Sequence, residues 1–318
     1  MHYQVPRLRF MILHKIAVTL WCSDVAMDMF RQFYHFPLSS RQEKAWIKVE
    51  NEVIIKASNI KKECALKGNV YHKLVVAVKR VGLFIRNMKE YIYEGLYIPH
   101  NYPKILCWTP HGTIDTGKSI KIVLKDDRIS IIRRYKLASV YCLEDDIREL
   151  WTKMSPACRK LFYDKNSKVL QNDLAIYWTY YIDGKIDLFE HRIQGSVNKY
   201  GLELAFIQGS KPAALYFLQK LNDAERYELF EKYFEYFGPV YAHALNARSE
   251  HYADLIYGLL IRMDEKQRLR VFELHAYIIF VYFVEYPFDQ LLEMTLNEAK
   301  YCISDECKNA LILKILSL

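Results

Sequence analysis

Apolar positions along this chain recur with the spacing of helices rather than strands. Near the start, one side of a 3.6-residue period collects Ile12, Leu13, Ile16, Ala17, Leu20 and Trp21. This spacing predicts an amphipathic helix. Near the end, residues 274–284, LHAYIIFVYFV, form the most apolar run. Eleven residues are too few to cross a bilayer, so this run predicts a buried helix.

Small and large apolar residues also repeat over a longer period. Ala205 precedes Leu218 by 13 residues, with Gly209 between them, and Ala276 marks a further start. The same offset separates three other pairs, Ala138 and Trp151 (with Cys142 in place of the glycine), Ala175 and Leu188, and Ala247 and Leu260. Successive alanines lie 34.5 residues apart on average. Because a pair of short helices cannot bury its apolar face alone, this period predicts stacked helix pairs with small residues at the crossings.

Helix N-cap signals follow the second helix of several units. Asn222 and Asp264 are followed three residues later by Glu225 and Gln267, the spacing of a capping box. A Ser-Pro dipeptide at 155–156 places proline at the first helical position, where a helix tolerates it. The segments that contain these signals align with one another: 218–230 with 260–272 without gaps, and 151–162 more loosely.

These features resemble the ankyrin repeat, a unit of about 33 residues with a turn and two helices. The positions that carry the resemblance are Gly201, Leu204-Ala205, Gly209 and Phe217-Leu218 in one unit, and the opening-like Thr109-Pro110-His111. No unit has the full opening motif, so the chain resembles a degenerate ankyrin protein over roughly 130–300. The resemblance implies a non-catalytic binding scaffold. Another α-solenoid with similar helix pairs is the alternative.

Composition agrees with an ordered intracellular protein. Hydrophobic residues make up 52% of the chain and aromatic residues 14%, against 11 glycines and 9 prolines. The seven cysteines are odd in number and form no C-x-x-C pair, which favours reduced thiols over disulfides or a metal site. His14 and Lys15 interrupt the first apolar run, and no small-x-small cleavage site follows it. We therefore predict a cytoplasmic protein without a signal peptide.

Positive charge is concentrated in the first third. Residues 1–100 carry 16 Lys or Arg and 8 Asp or Glu, whereas the remainder is balanced at 29 of each. The basic residues are dispersed, so we interpret them as a solvated face. The alternative is a surface that binds an acidic partner or a membrane.

The segment 112–119, GTIDTGKS, matches the phosphate-loop pattern G-x-x-x-x-G-K-[ST]. Gly112, Gly117, Lys118 and Ser119 occupy the required positions. Such a loop requires a doubly wound α/β fold, which the helical pattern of this chain does not predict. We therefore interpret the match as a helix start, with Asp115 as its cap and 116–125 as its body. Nucleotide binding through this segment is the alternative.

Other candidate chemistry has a structural interpretation. Glu144, Asp145 and Asp146 are predicted to occupy the first turn of a helix, where negative charge is favourable. The aromatic segment 233–241, YFEYFGPVY, has the spacing of a helix core and no basic stripe for nucleic acid. The ten histidines show no H-E-x-x-H spacing, and no G-x-S-x-G motif is present.

The sequence therefore predicts an all-α protein. A basic helical region, 1–100, precedes an irregular α-solenoid of ankyrin-like helix pairs, 101–318. The predicted function is protein–protein interaction, without enzymatic activity. We predict no catalytic, cofactor-binding or metal-binding residue, no small-molecule substrate, no specific nucleic acid and no transmembrane segment.

Overall fold

The computed structural model describes residues 6–33, 40–93, 99, 101–163, 173–193, 196–230, 232, 234, 249–284 and 286–316. Within these ranges every named element is a helix, and extended backbone pairs only at an isolated antiparallel bridge between Trp108 and Ile114. The all-α prediction is thus confirmed for this part of the chain. Two compact units are present, an N-terminal unit (4–115 and 285–290) and a C-terminal unit (116–284 and 291–318).

The N-terminal unit is built from five helices in its described part. They are α1 (Leu8–Trp21), α2 (Asp24–Phe33), α3 (Ser40–Glu63), α4 (Gly68–Tyr93) and the short α5 (Tyr102–Ile105). Helices α1, α3 and α4 pack on one another, and α2 packs on α3. The predicted amphipathic helix is confirmed as α1, although Ile12 is 49% exposed and lies outside its buried face.

Trp21 forms the centre of the N-terminal core. Its ring is fully buried, stacks on Trp46 with centroids 5.2 Å apart, and donates a hydrogen bond from Nε1 to the Val78 carbonyl at 2.8 Å. Gly82 permits this approach, since a Cβ at that position would lie 2.1 Å from the Trp21 ring. The contact fixes α1 against α4.

The described part of the chain contains no single helix that is both long and apolar enough to cross a membrane. Helix α1 and Asp24–Phe30 meet the same criterion only when combined, as a pair bent by 60°.

The C-terminal unit begins with α6 (Thr116–Val123) and continues as a succession of helices. These are α7 (Ile131–Val140), α8 (Glu144–Lys153), α9 (Pro156–Lys160), α10 (Asp173–Ile182), α11 (Ile186–Ile193), α12 (Val197–Ile207) and α13 (Lys211–Leu218). Residues 223–230 are also helical. The last helices are α14 (Ser249–Leu260), α15 (Glu265–Phe283), α16 (Asp289–Ala299) and α17 (Asp305–Leu316). The apolar run 274–284 lies in α15, mostly buried, as predicted.

Three helix pairs, α7–α8, α10–α11 and α12–α13, share one turn. The second residue after the first helix has a left-handed φ in each pair: +50° at Cys142, +66° at Gly184 and +64° at Gly209. The next N–H donates to the carbonyl five residues earlier, in Leu143–Ala138, Lys185–Tyr180 and Ser210–Ala205 at 2.8–3.0 Å. This is the Schellman ending of a helix. The prediction that Cys142 takes the place of Gly209 is confirmed.

The shared turn corrects the predicted repeat register in one unit. Ala138 and Ala205 both lie four residues before their turn and are fully buried, as a close helix crossing requires. In the α10–α11 pair, the residue four positions before Gly184 is Tyr180 rather than Ala175. Leu188, the predicted partner of Ala175, is 60% exposed, so this part of the prediction is wrong. Chain spacing alone does not fix where a helix ends.

The later starts of the predicted period differ from these three pairs. Ala276 is buried in α15 directly after a kink at His275 (φ −133°, ψ 15°), and the helix then continues to Phe283. Ala247 lies outside the described residues.

Consecutive pairs pack through their first helices. Helix α10 contacts both α7 and α12, and farther along the chain α14 packs on α13 and α15 on α14. Ser210, the N-cap of α13, also donates from Oγ to the Val140 carbonyl at 2.8 Å, which ties one turn to another. Neighbouring helix pairs thus contact one another in this part of the chain.

The predicted N-caps Ser155, Asn222 and Asp264 are confirmed, and each of them, like Ser130, is followed four residues later by an arginine. Asn222 and Asp264 form full capping boxes, with four hydrogen bonds between 2.8 and 3.1 Å. The arginine then donates to a carbonyl at or near the end of the preceding helix, which would otherwise lack a partner. The cap, arginine and carbonyl are Ser130, Arg134 and Leu124; Ser155, Arg159 and Thr152; Asn222, Arg226 and Leu218; and Asp264, Arg268 and Met263.

Candidate functional site

Residues 112–115 of the GTIDTGKS segment close a tight turn that begins at Thr109, where the Gly112 N–H donates to the Thr109 carbonyl at 3.1 Å. The Thr109 N–H donates to the Thr113 carbonyl at 2.8 Å, and the Asp115 N–H donates to the Cys107 carbonyl at 2.8 Å. Gly112 has φ of +85°, and a Cβ there would lie 2.9 Å from the Phe10 ring. This glycine therefore serves a close packing contact in the N-terminal unit.

The second half of the GTIDTGKS segment begins a helix, as predicted. Helix α6 starts at Thr116, directly after Asp115, and ends at Val123 rather than at the predicted 125. Lys118 is exposed, whereas Ser119 is completely buried. A phosphate-loop serine needs an accessible hydroxyl to bind Mg²⁺. The geometry thus separates the two side chains that nucleotide binding would use together.

The acidic residues 144–146 occupy the first turn of α8, as predicted. Glu144 accepts hydrogen bonds from Arg148 at 2.7 Å and from the Tyr216 hydroxyl at 3.2 Å. Burial raises the pKa of Asp146 above its ordinary value. Within the described ranges, no three His, Cys, Asp or Glu side chains gather as metal ligands would. Of the aromatic segment 233–241, only the side chain of Phe234 is described, and it is buried.

Part of the basic character of the N-terminal region lies at the turn between α3 and α4. Lys61, Lys62 and Lys67 are exposed there, beside the single acid Glu63. The Lys61 Nζ lies 4.6 Å from the centroid of the Tyr71 ring. This turn is a local positive patch.

An open groove of about 570 Å³ lies in the C-terminal unit, where the aligned segments 218–230 and 260–272 both contribute to its wall. We call it the Arg262 groove. Leu218 and Phe230 are buried at its base, and Leu215 and Tyr227 are half-buried beside them. Its polar lining residues are Gln219, Asp223, Arg226, Arg262, Asp264 and Gln267. An apolar base with a few polar groups at its edge is the usual composition of a binding groove.

Most charged groups that line the groove already have partners. Arg226 pairs with Asp223 at 3.1 Å and donates to the Leu218 carbonyl at 2.9 Å. Asp264 accepts the Gln267 N–H at 2.8 Å in its capping box. Arg226 and Asp223 thus balance each other's charge, whereas the capping box leaves the Asp264 carboxylate charged.

Arg262 is bonded differently from the arginine and aspartates that line the groove with it. Its Nη1 donates to the Gly258 carbonyl at 2.8 Å, in the last turn of α14. Among the described residues it has no ion-pair partner, and desolvation by the surrounding protein lowers the pKa of its guanidinium. The guanidinium has several further N–H donors. Arg262 is exposed, so water also reaches this guanidinium at the edge of the groove.

The alignment of the two segments identifies a residue equivalent to Arg262, which the hydrophobic periodicity alone did not reveal. In the alignment of 218–230 with 260–272, Arg262 corresponds to Lys220. The Lys220 Nζ lies 4.6 Å from the Tyr216 ring centroid and 5.4 Å from that of Tyr181. In one of the two aligned segments the cation thus lies against aromatic faces, and in the other it bonds a backbone carbonyl. Only the tertiary structure distinguishes the two.

Comparison of the chain with protein-family models, with curated proteins and with solved structures finds no match.

Proposed function

We propose that this chain is a non-catalytic helical-repeat scaffold that binds a protein partner through the Arg262 groove. The observation that carries the proposal is the groove itself, which has an apolar base and an edge of hydrogen-bonded polar side chains. The repeated turns and stacked first helices support an ankyrin-like or related α-solenoid. Repeat proteins of this kind expose extended binding surfaces.

A cytoplasmic location belongs to the same proposal. All seven cysteines are free thiols, the state that a reducing compartment maintains.

The proposal is tested by panning a phage library of short random peptides on the purified full chain and on Gln219→Trp. Gln219 is exposed at the groove, so a tryptophan there occupies the groove without removing a buried contact. Lys266→Trp is the matched control, because Lys266 is exposed in the same unit but does not line the groove. We expect peptides that bind wild type and Lys266→Trp but not Gln219→Trp. If every selected peptide binds all three proteins equally, the groove is not a protein-binding site.

A second proposal concerns the N-terminal unit, where the lysines of the α3–α4 turn favour an acidic partner. Exposed cations without a nearby balancing acid attract anionic surfaces in a salt-dependent way. Binding of poly-glutamate is the measurement, with wild type compared with a variant in which Lys61, Lys62 and Lys67 are glutamine. Binding that neither salt nor these substitutions weaken would rule this proposal out.

A further inference from the structure

The long helix α3 of the N-terminal unit has an exposed side that combines lysines with isoleucines. Its residues recur at the spacing of one side of a helix. We call this side the outer face of α3, and its residues are Lys44, Ile47, Lys48, Asn51, Ile55 and Lys62. The opposite side is buried in the core of the unit, at Trp46, Val53 and Ala57. The core therefore holds α3 by one side and presents the other to solvent.

The charge of the outer face has one sign. None of its three lysines has an ion-pair partner among the described residues. The acids of α3 lie elsewhere: Glu43 is bonded to Arg86 at 2.7 Å, and Glu63 points about 100° away from the lysine before it. The other two, Glu50 and Glu52, are half-buried. Over residues 40–93, which comprise α3, α4 and their turn, 12 Lys or Arg stand against 5 Asp or Glu. The charge of this face thus complements an anionic partner.

The isoleucines of the outer face add an apolar requirement. Ile47 is 48% exposed and Ile55 is 53% exposed. They are separated by eight residues, which is about 12 Å along a helix. An occupant that covers both removes apolar surface from water. A small anion or a nucleic-acid backbone would neutralise the lysines but leave both isoleucines exposed.

The composition of the outer face favours a lipid surface over a protein. The cores of protein interfaces are enriched in aromatic residues and arginine and depleted in lysine. The six residues of this face include three lysines and neither of the enriched types. A membrane with anionic lipid matches both of its residue types, because the lipid phosphates attract lysine and the acyl boundary accepts apolar side chains.

The dimensions of the outer face agree with this choice. From Lys44 to Lys62 the helix advances about 27 Å. A lipid surface offers phosphates and apolar chains along the whole of that length, with no sequence or register to match. A lysine side chain can keep its apolar stem near the acyl chains while its ammonium group reaches the phosphates.

We propose that the outer face of α3 binds the surface of a membrane that contains anionic lipid, with its lysines at the phosphates and Ile47 and Ile55 at the acyl boundary. The helix then lies on the membrane by one side. A cytoplasmic location, proposed above, would place it beside a leaflet that carries anionic lipid. This inference does not rest on the Arg262 groove, and it shares only Lys62 with the α3–α4 turn.

The test is co-sedimentation of the purified full chain with lipid vesicles. One set of vesicles is phosphatidylcholine alone, and the other is a mixture of phosphatidylcholine and phosphatidylserine. Two double variants of the outer face are compared with wild type: Lys44→Gln with Lys48→Gln, and Ile47→Gln with Ile55→Gln. Two double variants at exposed positions of the C-terminal unit are the matched controls: Lys232→Gln with Lys266→Gln, and Leu188→Gln with Leu274→Gln.

We expect wild type to bind the vesicles with phosphatidylserine and not those of phosphatidylcholine alone. Loss of the two lysines should weaken binding by about thirtyfold, because each lysine near an anionic surface contributes to the attraction. Loss of the two isoleucines should weaken it by about tenfold, because less apolar surface is buried. Added NaCl should weaken binding of wild type more steeply than binding of the lysine variant. Both controls should bind as wild type does, and circular dichroism checks that every variant is folded.

Failure of wild type to bind the vesicles with phosphatidylserine overturns the inference. Equal losses in the face variants and in their matched controls overturn it as well. A loss with the lysine pair but not with the isoleucine pair identifies a purely electrostatic contact, such as an acidic protein makes, and rules out the lipid assignment. The scaffold proposal is tested separately, with peptides and Gln219→Trp, so either proposal can fail while the other stands.

Discussion

The ion pair between Arg268 of α15 and Glu298 of α16 offers a sharp test of the C-terminal packing. Arg268 Nε lies 2.6 Å from Glu298 Oε1, and the side chains are only 9% and 22% exposed. Arg268 also donates to the Met263 carbonyl beside the capping box. Substitution by methionine keeps the apolar volume and removes every one of these donors.

The expected cost of Arg268→Met is about 4 kcal/mol. Removing one partner of a buried ion pair costs about 3 kcal/mol at the lower end of the usual range, which suits a carboxylate that keeps some exposure. The orphaned carbonyl adds about 1 kcal/mol. Replacing both partners, as Arg268→Met with Glu298→Leu, should recover most of the loss, because no uncompensated charge remains. The double variant should then lie within about 1.5 kcal/mol of wild type.

Urea unfolding followed by circular dichroism gives the free energy of unfolding for wild type, both single variants and the double variant. Arg270→Met is the matched control. Arg270 lies two residues farther along α15, and its pair with Glu273 is 46% and 50% exposed, so its loss should cost less than about 1 kcal/mol. A double variant that is no more stable than Arg268→Met would show that the two side chains do not compensate each other.

Three further predictions concern other parts of the molecule. Burial lowers the pKa of His14 from 6.5 to about 4, so protonation favours the unfolded chain. Stability should therefore fall by about 3 kcal/mol as the pH drops from 6.5 to 4, and His14→Gln should flatten this dependence. Gly184→Ala should cost about 1 kcal/mol from its left-handed φ alone, since a Cβ there meets no atom within 4 Å, and Gly184→Asn should cost less. Thermal unfolding should be insensitive to Mg²⁺-ATP or Mg²⁺-GTP in wild type and in Lys118→Ala.

A specific result would contradict each of these three predictions. An equal pH dependence in wild type and His14→Gln would exclude the imidazole as its cause. For the turn, Gly68→Ala is the control, because Gly68 has open space around it and no left-handed φ. Equal effects at Gly68 and Gly184 would remove the backbone explanation. A nucleotide-dependent rise in melting temperature that Lys118→Ala abolishes would establish phosphate binding by the 112–119 segment.

Local features of this protein followed from the sequence, because they depend on residues close together in the chain. A capping box is complete within four residues, so Asn222 and Asp264 identified their helix starts correctly. The run 274–284 was long and apolar enough to require a buried helix whatever its neighbours. The equivalence of Cys142 and Gly209 came from aligned spacing within two short units.

The tertiary structure decided which residues share a position and where a site forms. The 13-residue offset placed Ala175 and Leu188 in the repeat, but the left-handed turn at Gly184 shifts that unit's register and leaves Leu188 exposed. Spacing records distance along the chain and not the residue at which a helix ends. The contacts that a lysine or arginine side chain makes likewise depend on which residues pack beside it after folding. Lys220 and Arg262 are equivalent in sequence, but Lys220 lies against the rings of Tyr181 and Tyr216, whereas Arg262 donates to the Gly258 carbonyl.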